Sequence, residues 1–185
     1  MKRIGPACAV IVACAMGAIG NASAAEAHVH GHGQLDVAVD GDTLTIELEG
    51  PLDSIVGFER KPRNDKERAA VQRAAQKLRA ESVFVPTPAA GCKLKEVTLS
   101  SSVLDPALLT PGSQPAAKQE SGEGDGHADI DGEYVYSCST PAALNSLEVN
   151  LFDAFPGLKR LDAQVAGPRG QTGAKLTPKA RKLSF

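Results

Sequence analysis

The segment QLDVAVDGDTLTIELE, residues 34–49, decides the fold because apolar and polar side chains alternate on both sides of a turn signal. Gly41 and Asp42 at its centre suit the two-residue loop of a β-hairpin. With that loop, the apolar side chains of the two strands pair and share one face. The pairs are Val39 with Leu44, Val37 with Ile46, and Leu35 with Leu48. The segment therefore predicts a hairpin that is buried on one side.

A helix is predicted after this hairpin. Asn64 suits its N-cap, Glu67 completes a capping box three residues later, and apolar residues recur at helical spacing as far as Leu78. We expect the helix to end near Ser82. Residues 51–59, between hairpin and helix, read as an irregular and partly apolar connection.

Further strands are predicted on both sides of a long polar stretch. Apolar alternation indicates strands at residues 83–85, 92–103, 133–138, 146–152 and 159–166, with weaker ones at 174–176 and 182–185. The parity shift between Leu94 and Val97 predicts a bulge. Residues 104–132, rich in Pro, Gly, Ser and acid, are expected to be a disordered or functional insertion. The fold class is α+β, mainly antiparallel, with one principal amphipathic helix in a single domain, residues 34–185.

The first residues have the pattern of a secretory signal peptide. Lys2 and Arg3 precede an uncharged apolar run, and Ala22-Ser-Ala24 is a suitable cleavage site. We expect cleavage after Ala24, with Ala25 as the alternative. The apolar run is short for a membrane anchor, so no stable membrane insertion is expected after cleavage. Removing residues 1–24 changes the net charge from −2 to about −4, which disfavours nucleic acid as a partner.

Two of the four cysteines, Cys8 and Cys14, fall within the predicted signal peptide. The remaining pair, Cys92 and Cys138, is expected to form a disulfide because exported proteins meet an oxidising compartment. Two thiolates bound to a metal are the alternative. Neither cysteine has a histidine or second cysteine close by in sequence, so the disulfide is favoured.

Three of the four histidines lie within five residues of the mature N-terminal segment, residues 25–33. In an extended chain, His28, His30 and His32 would present their imidazoles on one side. Neutral imidazole binds Zn²⁺, Cu²⁺ and Ni²⁺, and the interleaved glycines would let the segment wrap around an ion. A solvated tail without a role is the alternative. We expect metal binding, which should weaken as pH falls because protons compete for the imidazoles.

The fourth histidine, His127, stands among carboxylates in the polar insertion. Asp125, Asp129 and Asp131 could assist it as auxiliary ligands. An acidic loop without bound metal is the alternative, and composition favours that interpretation.

Enzymatic activity is not expected. The sequence contains no glycine-rich phosphate loop, no His-Glu-x-x-His and no Gly-x-Ser-x-Gly. A catalytic zinc also needs rigid ligands and a placed base, which a glycine-spaced tail does not provide.

Several of these elements together resemble one family. HVHGHGQL (residues 28–35), IVGFE (55–59), Cys92, YVYSC (134–138) and FPG (155–157) are similar, in this order, to the ZrgA-like family of periplasmic, zinc-regulated proteins of Gram-negative bacteria. The resemblance implies a periplasmic zinc-binding accessory to zinc uptake that passes ions to an importer's binding protein. His28, His30 and His32 match the family's N-terminal motif.

The chain departs from that family in its insertion, which is usually rich in histidine and here retains only His127. This difference argues against a role as a high-capacity zinc buffer. Glu59, in the Gly-Phe-Glu element, is interpreted as a structural carboxylate, with a metal-facing role as the alternative.

Two other functions stay open at this point. The protein could be a periplasmic adaptor that binds partners through exposed strand edges, with an incidental histidine tail. It could also bind copper or nickel, particularly if cleavage after Ala25 leaves the N-terminus Glu26-Ala27-His28, which suits square-planar ions.

Overall fold

The computed structural model describes residues 30–112 and 128–185. The predicted signal peptide lies outside these ranges, as do His28, Asp125 and His127. Within the two ranges, no helix is both long and apolar enough to cross a membrane.

The described chain forms nine strands and four short or medium helices. The strands are β1 (His32–Asp40), β2 (Thr43–Pro51), β3 (Phe84–Pro86), β4 (Cys92–Ser100), β5 (Asp129–Cys138), β6 (Ser146–Val149), β7 (Arg160–Gly167), β8 (Gly170–Leu176) and β9 (Lys182–Ser184). The helices are α1 (Leu52–Val56), α2 (Asp65–Leu78), α3 (Pro106–Leu109) and α4 (Leu151–Ala154).

The strands form two sheets. The larger has the order β4-β5-β2-β1-β7-β8, and the smaller has the order β3-β6-β9. Every pair is antiparallel except β1 with β7. The predicted α+β class, mainly antiparallel and with one principal helix, is confirmed.

The two sheets and α2 enclose one apolar core. The ring of Phe84 in β3 meets that of Tyr134 in β5 edge to face, with 4.7 Å between centroids. Tyr136 Oη donates a hydrogen bond to the Phe84 carbonyl at 3.1 Å. These contacts hold the smaller sheet against the inner face of the larger one, and α2 buries Val71 and Leu78 in the same core.

The hairpin has the register expected from the sequence. β1 ends at Asp40, β2 begins at Thr43, and the three apolar pairs face each other as predicted. Their six side chains are buried or nearly so, whereas the alternate residues face outward.

The N-terminus of α2 also matches the prediction, because the Asn64 side chain accepts a hydrogen bond from the Glu67 amide at 2.9 Å. Two details differ. The Glu67 carboxylate accepts from the Arg63 amide, at 2.7 Å, which caps one residue earlier than expected. The helix ends at Leu78 rather than near Ser82 because the chain turns after Arg79 to enter β3.

The predicted disulfide is confirmed. Cys92 and Cys138 are paired residues on β4 and β5, and their sulfur atoms are bonded. The predicted bulge is present too, since the register of β4 shifts between Leu94 and Glu96.

Two segments differ from their predicted form. Residues 51–59 are not irregular throughout, because α1 occupies Leu52–Val56 and ends at Gly57, whose φ is +89°. The polar stretch 104–132 is ordered at both described ends, where α3 forms and β5 begins at Asp129. Leu108 and Leu109 of α3 are buried, which explains the ordering of the first end.

Candidate metal site

Three side chains that suit a metal ion meet where β1 begins. His30, Asp53 and Glu59 each place one ligand atom within 4.8 Å of the other two. His30 Nδ1 is hydrogen-bonded to Asp53 Oδ2 and lies 3.4 Å from Glu59 Oε1. The imidazole is 63% exposed, whereas the carboxylates are 26% and 21% exposed. The cluster is thus open to solvent on its histidine side.

The hairpin brings these residues together. β2 pairs with β1 along its length, so the residues after β2 lie beside the residues before β1. α1 begins immediately after Pro51 and carries Asp53 in its first turn. The positive φ of Gly57 ends the helix and turns the chain, and Glu59 follows two residues later.

Ser54 connects the two sides of the cluster. Its Oγ accepts a hydrogen bond from the Gly31 amide at 2.9 Å and donates one to Asp53 Oδ1 at 2.9 Å. One hydroxyl therefore orients the backbone next to His30 and the carboxylate that faces it.

Two glycines allow this close packing. Gly31 has a φ of +81°, and its carbonyl accepts hydrogen bonds from the amides of Lys159 and Arg160 at 2.7 and 3.0 Å. A Cβ on Gly157 would lie 2.4 Å from the Ser54 carbonyl oxygen. A side chain at Gly157 would push α1 away, and one at Gly31 would need an unfavourable positive φ and would crowd Lys159 and the Gly157 carbonyl.

An ion pair holds the segment that carries Glu59. The neighbouring Arg60 donates to both carboxylate oxygens of Glu67 in α2, at 2.7 and 3.1 Å, and its guanidinium lies 5.1 Å from the centre of the Phe58 ring. The Arg60 hydrogen bond, followed by that of the Arg63 amide, lowers the pKa of Glu67 from 4.5 to about 2. The carboxylate of Glu67 therefore stays ionised at neutral pH.

The donor set fits zinc. Zn²⁺ accepts imidazole nitrogen and carboxylate oxygen, each at about 2.0–2.2 Å, in a tetrahedral arrangement. Two such ligand atoms on a tetrahedral ion are about 3.3 Å apart, close to the 3.4 Å between His30 Nδ1 and Glu59 Oε1. His30 Nδ1 and Asp53 Oδ2 are hydrogen-bonded to each other and would have to move apart to admit an ion. The two carboxylates would balance the charge of a divalent ion.

His30 and His32, the two predicted tail ligands that the structure describes, do not share one geometry. His30 belongs to the cluster. His32 is the first residue of β1, pairs with Arg160 of β7, and is not a member of the cluster. The positive φ of Gly31 interrupts the alternation on which the common orientation of His30 and His32 was predicted. Metal binding by His28, His30 and His32 together stays a prediction.

The predicted auxiliary acids that can be placed lie in β5. Asp129 pairs with Pro51, and Asp131 pairs with Glu49, on the strand next to β2. Desolvation, followed by the charge of Asp129, raises the pKa of Asp131. Neither belongs to the three-residue cluster.

The residue that follows His127 is hydrogen-bonded to the start of α1. The carbonyl of Ala128, which is buried, accepts a hydrogen bond from the Leu52 amide at 2.8 Å. Leu52 precedes the cluster residue Asp53, so this hydrogen bond joins the start of β5 to the start of α1.

Asp53 was not among the predicted ligands, and Glu59 was interpreted as a structural carboxylate. Glu59 is mostly buried and faces His30, so the metal-facing alternative describes its position better than an exposed structural acid. The register of the hairpin contained a signal for Asp53. In this antiparallel register Gln34 pairs with Glu49. Counting four residues back from Gln34 and four forward from Glu49 places His30 opposite Asp53.

Comparison with known proteins agrees with this chemistry. Residues 27–185 match the model of a family described as ZrgA family zinc uptake protein. No match was found among curated proteins. The family resemblance noted in the sequence is thereby confirmed over nearly all of the chain beyond the predicted signal peptide.

Proposed function

The chain belongs to the ZrgA family of zinc uptake proteins, and we propose that it captures Zn²⁺ in the periplasm at the cluster of His30, Asp53 and Glu59. In this proposal the ion is cargo, passed on to the periplasmic binding protein of a zinc importer. The predicted signal peptide supports the location, and the family supports the role.

One observation carries the proposal. An imidazole and two carboxylates from separate segments of the chain converge within 4.8 Å, and the Ser54 hydroxyl orients both sides of the convergence. Placed donors of this kind supply the first requirement of a metal site, which is ligands of the right type at the right separation.

The exposure of the site supports transfer rather than permanent storage. Three protein ligands leave one position of a four-coordinate ion for water or for a ligand of another protein. The imidazole of His30 is 63% exposed, so a partner could approach from that side. Both carboxylates serve as ligands in this arrangement, which leaves neither as a general base and favours carriage over catalysis.

The remaining predicted ligands extend this proposal. His28 precedes His30 by two residues, and His127 precedes Ala128, whose carbonyl is bound beside α1. Either imidazole would compete with an external ligand for the fourth position. His32, Asp129 and Asp131 would act as secondary, weaker ligands.

A zinc titration against a chromophoric competitor tests the proposal. Asp53→Asn should weaken zinc binding about tenfold or more, because a neutral amide is a poorer ligand and leaves a positive charge unbalanced. Asp40→Asn, at the far end of β1, is the matched control and should bind like the unaltered protein. Equal zinc affinity in the two variants would show that Asp53 is not a ligand and would exclude the cluster as the zinc site.

Triple substitution of His28, His30 and His32 by alanine distinguishes binding at the cluster from binding by the three tail histidines together. Restoring only His30 should recover most of the affinity if the cluster is the site. Recovery that requires all three histidines would instead support binding by the tail.

Copper or nickel is a second candidate cargo, because the affinity of nitrogen and oxygen sites rises towards Cu²⁺ in the first-row series. Competition between Zn²⁺, Ni²⁺ and Cu²⁺ at buffered free concentrations tests it. If moving the cleavage point from Ala25 to Ala24 abolished the preference for copper, the copper site would lie at the N-terminus.

An exposed sheet edge supports a second candidate function, that of an adaptor. Among the described strands, β8 pairs with β7 alone and leaves one edge open along Gly170–Leu176. Extended peptides bind such edges. A pull-down with His28, His30 and His32 replaced by alanine distinguishes the roles, since an adaptor would keep its partner and a metal-dependent contact would be lost.

A further inference from the structure

A shallow groove lies directly beside the candidate metal site. Its volume is about 440 Å³. One wall is α1 with the following Gly57, the second is α2 from Ala70 to Lys77, and the third is the segment 154–157. Asp53 lines the groove as well as belonging to the metal cluster, so the two sites share one residue. We call this the α1–α2 groove.

The charge of the groove is positive. Arg73 and Lys77 both line it and lie one turn apart on α2. Lys77 Nζ donates to the Ala154 carbonyl at 3.1 Å and lies 5.7 Å from the centre of the Phe155 ring. Lys159, which donates to the Pro156 carbonyl, adds a third cation at the rim. Asp53 is the one carboxylate in the lining, and its partner is His30.

These cations are not neutralised within the described part of the chain. No ion pair joins Arg73, Lys77 or Lys159 to a carboxylate of residues 30–112 or 128–185. Like charges one helical turn apart repel each other. An anion bound between them would remove this repulsion.

We propose that the α1–α2 groove binds a small polycarboxylate, one of whose carboxylates completes the coordination of the zinc ion held by His30, Asp53 and Glu59. This proposal rests on the proposed zinc site. It adds that zinc is bound there as a complex with a carboxylate anion.

The balance of charge and coordination supports this ligand. Two protein carboxylates neutralise Zn²⁺, and three protein ligands leave one position open. A carboxylate oxygen can take that position. The other carboxylates of the same anion then face Arg73, whose planar guanidinium forms paired hydrogen bonds with carboxylates, and the ammonium of Lys77.

The length of the groove favours a polycarboxylate over inorganic phosphate. Residues 70–77 of α2 extend over about 10 Å at 1.5 Å per residue. Phosphate carries its oxygens on one atom and spans only a small part of this length. A tricarboxylate carries them on separate carbons.

Calorimetric titration of tricarballylate into the protein tests the inference. This tricarboxylate lacks the hydroxyl group that makes citrate a strong chelator, so it competes little for the metal. It should bind zinc-loaded protein, and Arg73→Gln with Lys77→Gln should weaken that binding about tenfold or more. The zinc affinity measured without anion should be unchanged in this variant.

The control variant is Lys175→Gln with Lys179→Gln, which removes the same charge from exposed positions outside the groove lining. It should bind tricarballylate like the unaltered protein. An equal loss in both variants, or equal binding of inorganic phosphate, would overturn the assignment. Tricarballylate binding that does not depend on Arg73 and Lys77, in zinc-loaded and in zinc-free protein, would overturn it as well.

Failure of the zinc site gives a different result. If zinc binding does not depend on Asp53, the zinc titration contradicts the proposed function. The affinity of zinc-free protein for tricarballylate still shows whether the groove binds the anion without the metal. Binding to the zinc-free form that equals binding to the zinc-loaded form would overturn the shared coordination.

Discussion

Ser54 Oγ accepts a hydrogen bond from the Gly31 amide at 2.9 Å. This buried bond joins the residues that follow His30 and Asp53, two of the candidate metal ligands. The same hydroxyl donates to Asp53. The positions of His30 and Asp53 therefore depend on one serine that is not itself a ligand.

Ser54→Ala should lower both zinc affinity and stability. The Gly31 amide would lose its partner in a buried position, which costs about 1–3 kcal/mol, and the Asp53 carboxylate would lose its orienting donor. Ser137→Ala in β5 is the control, and denaturant unfolding with zinc titration gives both quantities. Unchanged zinc affinity in Ser54→Ala would show that Ser54 does not position the ligands.

Gly157→Ala should destabilise the protein, because the new methyl group would lie 2.4 Å from the Ser54 carbonyl oxygen. Forcing an atom into packed backbone costs about 1–3 kcal/mol. Gly50→Ala is the control, since its nearest contact would be an ordinary 3.8 Å. Thermal unfolding measures both, and equal midpoints would contradict the predicted clash.

Glu67→Gln should reduce stability at neutral pH and have little effect near pH 2. The pKa of Glu67 is lowered to about 2 by Arg60 and Arg63, so the folded state favours the ionised carboxylate. That contribution is present above the ordinary value of 4.5 and is lost as pH falls towards 2. Urea midpoints of the protein and of Glu67→Gln, measured from pH 7 to pH 2, should converge. A constant difference would assign the effect to packing.

Replacing Cys92 and Cys138 by serine should cost about 4 kcal/mol of stability, by the chain-entropy estimate for a loop of this length. Zinc affinity should not change under conditions where the variant is folded, because the disulfide joins the end of β5 opposite to Asp129. Denaturant unfolding and zinc titration check the two parts separately. A matching fall in zinc affinity would show that the disulfide end and the metal end of the sheet are coupled.

The fold could be predicted from sequence where the signals are local and repeated. The alternation of residues 35–48 and the Gly41-Asp42 loop determine the register of the hairpin, since a slip of one residue would turn every apolar side chain outward. The N-cap of α2 and the bulge in β4 follow from similarly local patterns.

The metal cluster was only partly predictable. Histidine clustering drew attention to His30, but Asp53 stands in a five-residue helix too short to show helical periodicity. Glu59 follows a turn, where an exposed acid is common, and its burial beside His30 results from packing of the 57–60 segment against α2.

The sequence by itself determined the paired strands of the first hairpin, the principal helix, the disulfide and the presence of a histidine-rich segment, because each depends on spacing along the chain or on residue type. Only the tertiary structure decided which histidine meets which carboxylates and which cations line the neighbouring groove. Those contacts join residues more than 20 positions apart, such as His30 with Asp53 and Lys77 with Ala154. They arise from the folding of α1 against the start of β1 and of α2 against the segment 154–157.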